Sequence, residues 1–293
     1  MKNIGKTIIA VIMAVTMLAA TACSDKTPND GNDLPNAQTT VTVRSALNNV
    51  KVLQDDDINA FGDAILSFEA AKGETEGAQL VLRAEADTSY DVTVSSLTSV
   101  SGGVIPASAV TVYALKYMNI SSGFTGFAAG AYPDAMVPLA YIKKAKENVL
   151  YKGKNQGLWF DLKVPEDSDA GVYSGSVSIS AGGNLIAVPI TLEVFDFSMP
   201  EAPAATTTYL IWRDWLIDGE LDNSIEKYKE YYDLLLEYNA TAYYFPAEIG
   251  DYDGFISCLR TYYDKVAQYG IPYVETQYDG GKAIDSEVLK SYL

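Results

Sequence analysis

The feature that most constrains this chain is a change of hydrophobic period near residue 200. From about Thr40 to Phe197, apolar residues recur at every second position in short runs broken by turn residues. That spacing puts one face of a strand in a core and leaves the other in water. Ile186, Val188, Ile190, Leu192 and Val194 make one such face, and Leu158, Phe160, Leu162 and Val164 make another. Shorter faces run through Leu80, Leu82 and Ala84, through Tyr90, Val92 and Val94, and through Val110, Val112 and Ala114. The alternate positions hold Arg83, Glu85, Asp161, Lys163 and Glu193, so each strand is expected to keep a wet face. Gly102-Gly103 and Gly182-Gly183-Asn184 supply the positive φ that tight hairpins need. Residues 40–199 are therefore expected to form an antiparallel β-sandwich domain.

Past Met199-Pro-Glu-Ala-Pro203 the pattern lengthens. Residues 206–212 read as a strand, and Asn223 three residues ahead of Glu226 resembles a capping box. The helix that follows carries Ile225, Tyr228, Tyr232 and Leu235 on one face, and Asn239 suits a left-handed terminator. A second strand over 240–245 leads to a helix striped by Phe255, Leu259, Tyr262, Val266 and Tyr269, closed by Gly270. A third strand over 272–277 precedes a last helix starting near Asp285. Repeated strand-helix units build parallel sheets, and a (β/α)8 barrel needs eight of them. Residues 206–293 thus read as the first three β/α units of an incomplete barrel. The alternative is a small α/β layer packed against the sandwich.

The amino terminus reads as an export signal. Lys2 and Lys6 precede an uncharged apolar stretch over 7–18 and small residues up to Ala20-Thr-Ala-Cys23. Residues 1–22 are expected to be a lipoprotein signal peptide with Cys23 as lipid anchor; the alternative is an ordinary signal peptide cut nearby. The apolar run is shorter than the ~20 residues of a membrane span, so contact with the membrane would come through the lipid. Residues 23–39, with Asp25, Asp30, Asp33, Pro28 and Pro35, bury too little to fold and read as a flexible linker. The expected location is the bacterial cell envelope.

Composition removes several function classes. A net charge of −17 repels nucleic acid. The absence of histidine removes the usual zinc ligand and the Ser-His and Cys-His nucleophile pairs. No phosphate-cradling loop or dinucleotide fingerprint occurs, so neither cofactor nor metal is expected. Asp55-Asp56-Asp57 lacks the spacing of a calcium loop and reads as an acidic turn. Cys258, with Cys23 assigned to lipid, reads as a small buried residue on a helix.

Five segments occur in a telling order: Glu74-Thr-Glu-Gly-Ala-Gln-Leu-Val-Leu82, Tyr132-Pro-Asp-Ala-Met-Val-Pro-Leu139, Gln156-Gly-Leu-Trp-Phe-Asp-Leu-Lys-Val-Pro165, Gly171-Val-Tyr-Ser-Gly-Ser-Val177 and Val194-Phe-Asp-Phe-Ser-Met-Pro200. Together they resemble the amino-terminal sandwich of glycoside hydrolase family 123-like proteins, the domain of unknown function 4091 group. The resemblance implies action on glycans, as β-N-acetylgalactosaminidases in the founding members, with an adjacent Asp-Glu pair in mid-barrel assisting the substrate acetamide. No adjacent acidic pair follows residue 206, and the one Glu-Asp dipeptide, Glu166-Asp167, falls in a sandwich turn. No catalytic residue is therefore assigned.

Substrate contacts are expected at Trp212, Arg213, Asp214 and Trp215, at the carboxyl end of the first strand, with Glu248 and Asp279 after the second and third. Indole faces stack on pyranose rings, and the charged groups bond hydroxyls. The plainer alternatives are tryptophans used for packing and a structural Arg213–Asp214 pair. The expected function is a fragment of a lipid-anchored glycoside hydrolase-like protein, inactive as it stands, with a glycan or oligosaccharide as partner. The alternatives are a non-catalytic glycan-binding lipoprotein and a structural adhesin.

Overall fold

The alternation of the first two hundred residues converts into two stacked sheets. The computed structural model describes residues 35, 37–121, 128–200, 209–248 and 251–266. The signal peptide, Cys23, most of the linker, the third strand, the last helix and Asp279 lie outside the described residues. The first strands are β1 (Val41–Ala46), β2 (Leu66–Lys72), β3 (Thr75–Ala84), β4 (Thr88–Val94), β5 (Leu97–Ser99) and β6 (Val104–Ile105). After them come β7 (Val110–Ile120), β8 (Gly130–Pro138), helix α1 (Leu139–Lys144), β9 (Val149–Leu150), β10 (Asn155–Lys163), β11 (Gly171–Ala181) and β12 (Asn184–Ser198).

One sheet runs β1-β3-β10-β7-β8; the other runs β2-β12-β11-β4-β9, with β5 paired to β11 and β6 to β5. Their inner faces share one core. Leu158, Phe160, Leu162, Val188 and Leu192 are fully buried in it, each such side chain contributing roughly 1.5–3 kcal/mol. The β11–β12 hairpin closes between Ala181 and Asn184. Gly182 and Gly183 both take positive φ there (58° and 75°), as a two-residue primed turn requires.

Three details depart from the alternation. The pair β2–β12 is parallel, so the sandwich is not wholly antiparallel; the connection from β2 to β12 crosses much of the domain, and local spacing does not encode it. The outer face of the first sheet is partly roofed. Gln79 on β3 donates to the carbonyls of Leu47 and Val50, and Val52 and Ile58 pack on Val81 beneath that segment. The third departure is Asp161, which was expected in water and is 9% exposed.

The acidic triplet is consumed by the same roof. Asp56 accepts the Leu53 amide at 2.8 Å, Asp57 caps a 3-10 turn at Ile58–Ala60, and Asp55 pairs with Lys154 at 2.6 Å. Among the described residues no group of acids is arranged to hold a metal. No described helix is long and apolar enough to cross a membrane.

The carboxy-terminal portion contains α2 (Leu216–Glu220), α3 (Ile225–Glu237) and α4 (Tyr252–Tyr262). Among the described residues its first two expected strands are represented by an isolated parallel bridge, Tyr209 with Ala242, held by Tyr209 N–H to Thr241 O (2.8 Å) and Tyr243 N–H to Tyr209 O (2.9 Å). Around α3 this makes one β-α-β unit, and the described residues do not form a barrel wall. The short α2 was not anticipated.

The α3 cap is Ser224, whose hydroxyl accepts the Lys227 amide at 3.2 Å, one residue beyond the expected Asn223. Asp222 in turn accepts the Ser224 amide at 2.9 Å, which sets that register. Glu226 is left at the second helical position, where it answers the helix dipole but cannot complete a capping box. Asn239 ends the helix with φ 53°, as expected. Tyr228, Tyr232, Phe245, Phe255 and Tyr262 form an aromatic core, with the Tyr232 ring 4.9 Å from Tyr262 and 5.9 Å from Phe245.

Candidate functional site

Parallel pairing of Tyr209 with Ala242 carries the ends of both strand segments to the same side, as parallel strands require. Trp212 follows the first segment and opens a 3-10 turn, Arg213–Trp215. The turn aims Arg213 at Glu248, which follows the second; Nη1 lies 2.7 Å from Oε1. Both side chains keep solvent contact, so this pair stabilises by at most about 1 kcal/mol and serves chiefly to fix geometry. Trp212 is half-buried, its ring 6.3 Å from that of Tyr244 at 55°. Tyr243 and Tyr244 meet edge to face at 4.6 Å.

The structure thus brings together Trp212, Arg213 and Glu248. Asp214 is exposed beside them and does not share in the Arg213–Glu248 pair. The backbone of Trp215 completes the turn. Asp279 and the lipid-anchor position Cys23 lie outside the described residues. Sequence reasoning missed Tyr244, although an aromatic pair closing a strand four residues before an acid is the signal that would have found it.

Glu248 also lines a cleft of about 530 Å³ between the amino-terminal end of α3 and the length of α4, within the size range of small-ligand sites. Its walls include Glu226, Lys229, Asp251, Cys258 and Tyr262. Lys229 is held by Asp233 and lies 5.6 Å from the centre of the Tyr262 ring; the Tyr262 hydroxyl donates to Asp233 at 2.8 Å. The hydrogen bond to Asp233, then that to Tyr262, raises the Lys229 pKa, so the amine stays cationic. Burial pushes the Tyr262 hydroxyl and the Cys258 thiol up, so both keep their protons near neutrality. Such a wall offers carboxylates, neutral hydroxyls and one fixed cation: a hydrogen-bonding surface without a thiolate nucleophile.

Residues 54–181 match the family model described as the glycoside hydrolase 123 N-terminal domain. The fold is similar to that of a family 123 glycoside hydrolase from Clostridium perfringens, studied for glycolipid glycan hydrolysis, at TM-score 0.56 and 17% identity. The match covers 68% of this chain and 36% of that enzyme, so the chain spans about a third of the enzyme's length. The CooA pilin subunit of enterotoxigenic Escherichia coli (TM-score 0.28, 14% identity, 54% of this chain and 99% of that one) superposes only loosely. So does a Bacteroides ovatus GH5 xyloglucanase in complex with a XXXG heptasaccharide (0.24, 8%, 56% and 22%). Neither of these two bears on function. No curated protein matches the chain in sequence.

Proposed function

We propose that this chain is the sandwich and the opening β/α units of a lipid-anchored, exported protein of the glycoside hydrolase 123 type, acting on N-acetylhexosamine-containing glycans. The observation that carries this reading is the match of residues 54–181 to that family's amino-terminal domain. Support at the site comes from the Arg213–Glu248 pair, which joins adjacent strand ends where a β/α barrel would present ligand groups. In this reading the β-α-β unit around α3 begins a (β/α)8 barrel, Cys23 carries the lipid, and Trp212 stacks on a sugar face.

Hydrolysis through the substrate acetamide needs a paired acid that residues 206–293 do not contain. The 293-residue chain is therefore proposed to bind glycan and not to cleave it. The half-buried Trp212, next in sequence to the Arg213 that pairs with Glu248 of a hydroxyl- and carboxylate-lined cleft, also favours the second reading, a glycan-binding lipoprotein without catalysis. Calorimetry with oligosaccharides ending in N-acetylhexosamine tests the rim: binding is expected, and Trp212→Ala should abolish it. Failure of the wild-type chain to bind would overturn the rim assignment. Release of aryl alcohol from an aryl N-acetyl-β-galactosaminide, lost in Asp214→Asn, would overturn the assignment of inactivity.

A further inference from the structure

Asp161 poses a problem that the glycan reading does not touch. It lies on the outer face of β10, where alternation predicts solvent, yet it is 9% exposed. Burying a carboxylate away from water is costly unless its oxygens are bonded. No lysine or arginine pairs with it among the described ion pairs. Two neutral donors hold it instead. Trp159 Nε1–H donates to Oδ1 at 2.6 Å, and the Tyr238 hydroxyl donates to Oδ2 at 3.0 Å.

The Trp159 contact is built into the sheet. Gly77 stands opposite Asp161 in the β3–β10 register, and the Trp159 ring occupies the space its Cβ would need. Only glycine lets the indole lie across β3 and turn its N–H back to the carboxylate two residues along. Tyr113, opposite Trp159 on β7, completes the wall. The other donor comes from the far side of the connecting segment: Tyr238 is the C-cap of α3, separated from Asp161 by 77 residues. Tyr238 reaches Asp161 from the carboxyl end of α3, the negative end of its dipole, which is an unfavourable neighbour for a carboxylate. The Tyr238 hydroxyl, which also hydrogen-bonds Tyr113, therefore holds a contact that the helix dipole opposes.

We propose that Trp159, Asp161 and Tyr113 form a socket on the sandwich, with Tyr238 of this same chain as its plug. The socket docks the carboxyl end of α3, so this part of the outer face is committed to the carboxy-terminal portion and not to an external ligand. The Ser224 end of α3, which lines the cleft, stands a helix length away, about 20 Å for 13 residues. The sandwich thus sets the position of the cleft from behind without contributing to it. The proposal does not depend on what the cleft binds.

Hydrogen exchange read by mass spectrometry on the whole 293-residue chain, without any sugar, tests the socket. Tyr238→Phe removes the donor to Asp161 Oδ2, leaves that oxygen facing the helix end, and keeps the Trp159 bond to Oδ1. Peptides covering the last turns of α3 should then exchange about tenfold faster, the lower range for a bond to a charged group, while those of β11 and β12 stay unchanged. Asp161→Asn in the Tyr238→Phe background removes the opposing charge and should restore part of the protection. The proposal is overturned if Tyr238→Phe exchanges like the parent chain. It is equally overturned if the double variant exchanges no slower than Tyr238→Phe.

Discussion

The two folded portions of this chain solve the same problem with different chemistry. The sandwich core is dominated by Leu, Val and Ile drawn from opposed sheets, with Phe160 and Tyr173 as its largest fully buried members. The carboxy-terminal core is aromatic, and its tyrosine rings, Tyr228, Tyr232 and Tyr262, carry hydroxyls. Tyr228 satisfies its own by donating to Tyr244 O at 2.9 Å, and burial pushes its pKa up to about 12. Tyr232 OH and Thr241 Oγ1 are buried there with no hydrogen-bond partner among the described residues, whereas the much larger sandwich has Tyr117 OH on β7 in that condition. An aliphatic core needs no further bonds once it is dry. A tyrosine core must also place each hydroxyl, and every orphan costs about 1–3 kcal/mol. The sandwich core is therefore the more nearly self-sufficient of the two, although its Asp161 and the β-α-β portion's Tyr238 lean on each other.

The largest expected effect strikes the self-sufficient side. Phe160→Ala deletes a fully buried ring from β10 and should cost about 3–5 kcal/mol in denaturant unfolding. A loss below about 1 kcal/mol would mean that the sandwich core is loosely packed and the contrast with the carboxy-terminal portion is false.

A smaller effect of opposite sign is expected on the other side. Tyr232→Phe removes the orphan hydroxyl and keeps the ring contacts to Phe245 and Tyr262. The variant should be as stable as the parent or gain about 1 kcal/mol. A clear loss would show that the hydroxyl has a partner that matters for folding, and that the aromatic core is as well satisfied as the aliphatic one.

Much of this contrast was legible in the sequence. The inner faces of β10 and β12 follow from alternation alone, because a residue's side of the pleat is a local property. The Gly182-Gly183 turn was legible for the same reason. Which strand lies beside β2, and what covers the outer face of β10, depend on chain returning from far away. No spacing announces that Tyr238 will bury Asp161. At the candidate site, the meeting of Arg213 with Glu248 was legible in outline, since parallel strands bring their ends together. The Tyr244 partner of Trp212 was not, because ring packing depends on how far each strand extends. Around Ser224, three successive residues, Asp222, Asn223 and Ser224, are all able caps, and composition could not choose among them.

The smallest expected effect lies on the sandwich, near the Asp161 socket. Glu76 on β3 has its carboxyl pushed above its ordinary value of 4.5, first by burial, then by Glu74, with Asp161 a lesser contributor; the Gly77 amide and Asn48 act in the opposite sense. A folded-state value above the unfolded one means that the folded chain binds the proton more readily. The stabilisation from Glu76 is then fully present below the ordinary carboxylate value and is lost as pH rises through the folded one. Glu76→Gln keeps the shape and cannot ionise. Melting temperatures of the two chains, taken at steps from acid to neutral pH, should diverge in favour of Glu76→Gln as pH rises. A gap that narrows instead would mean that the carboxylate is welcomed where it lies, and that the acids Glu74, Glu76 and Asp161 strain this part of the sandwich far less than their crowding implies.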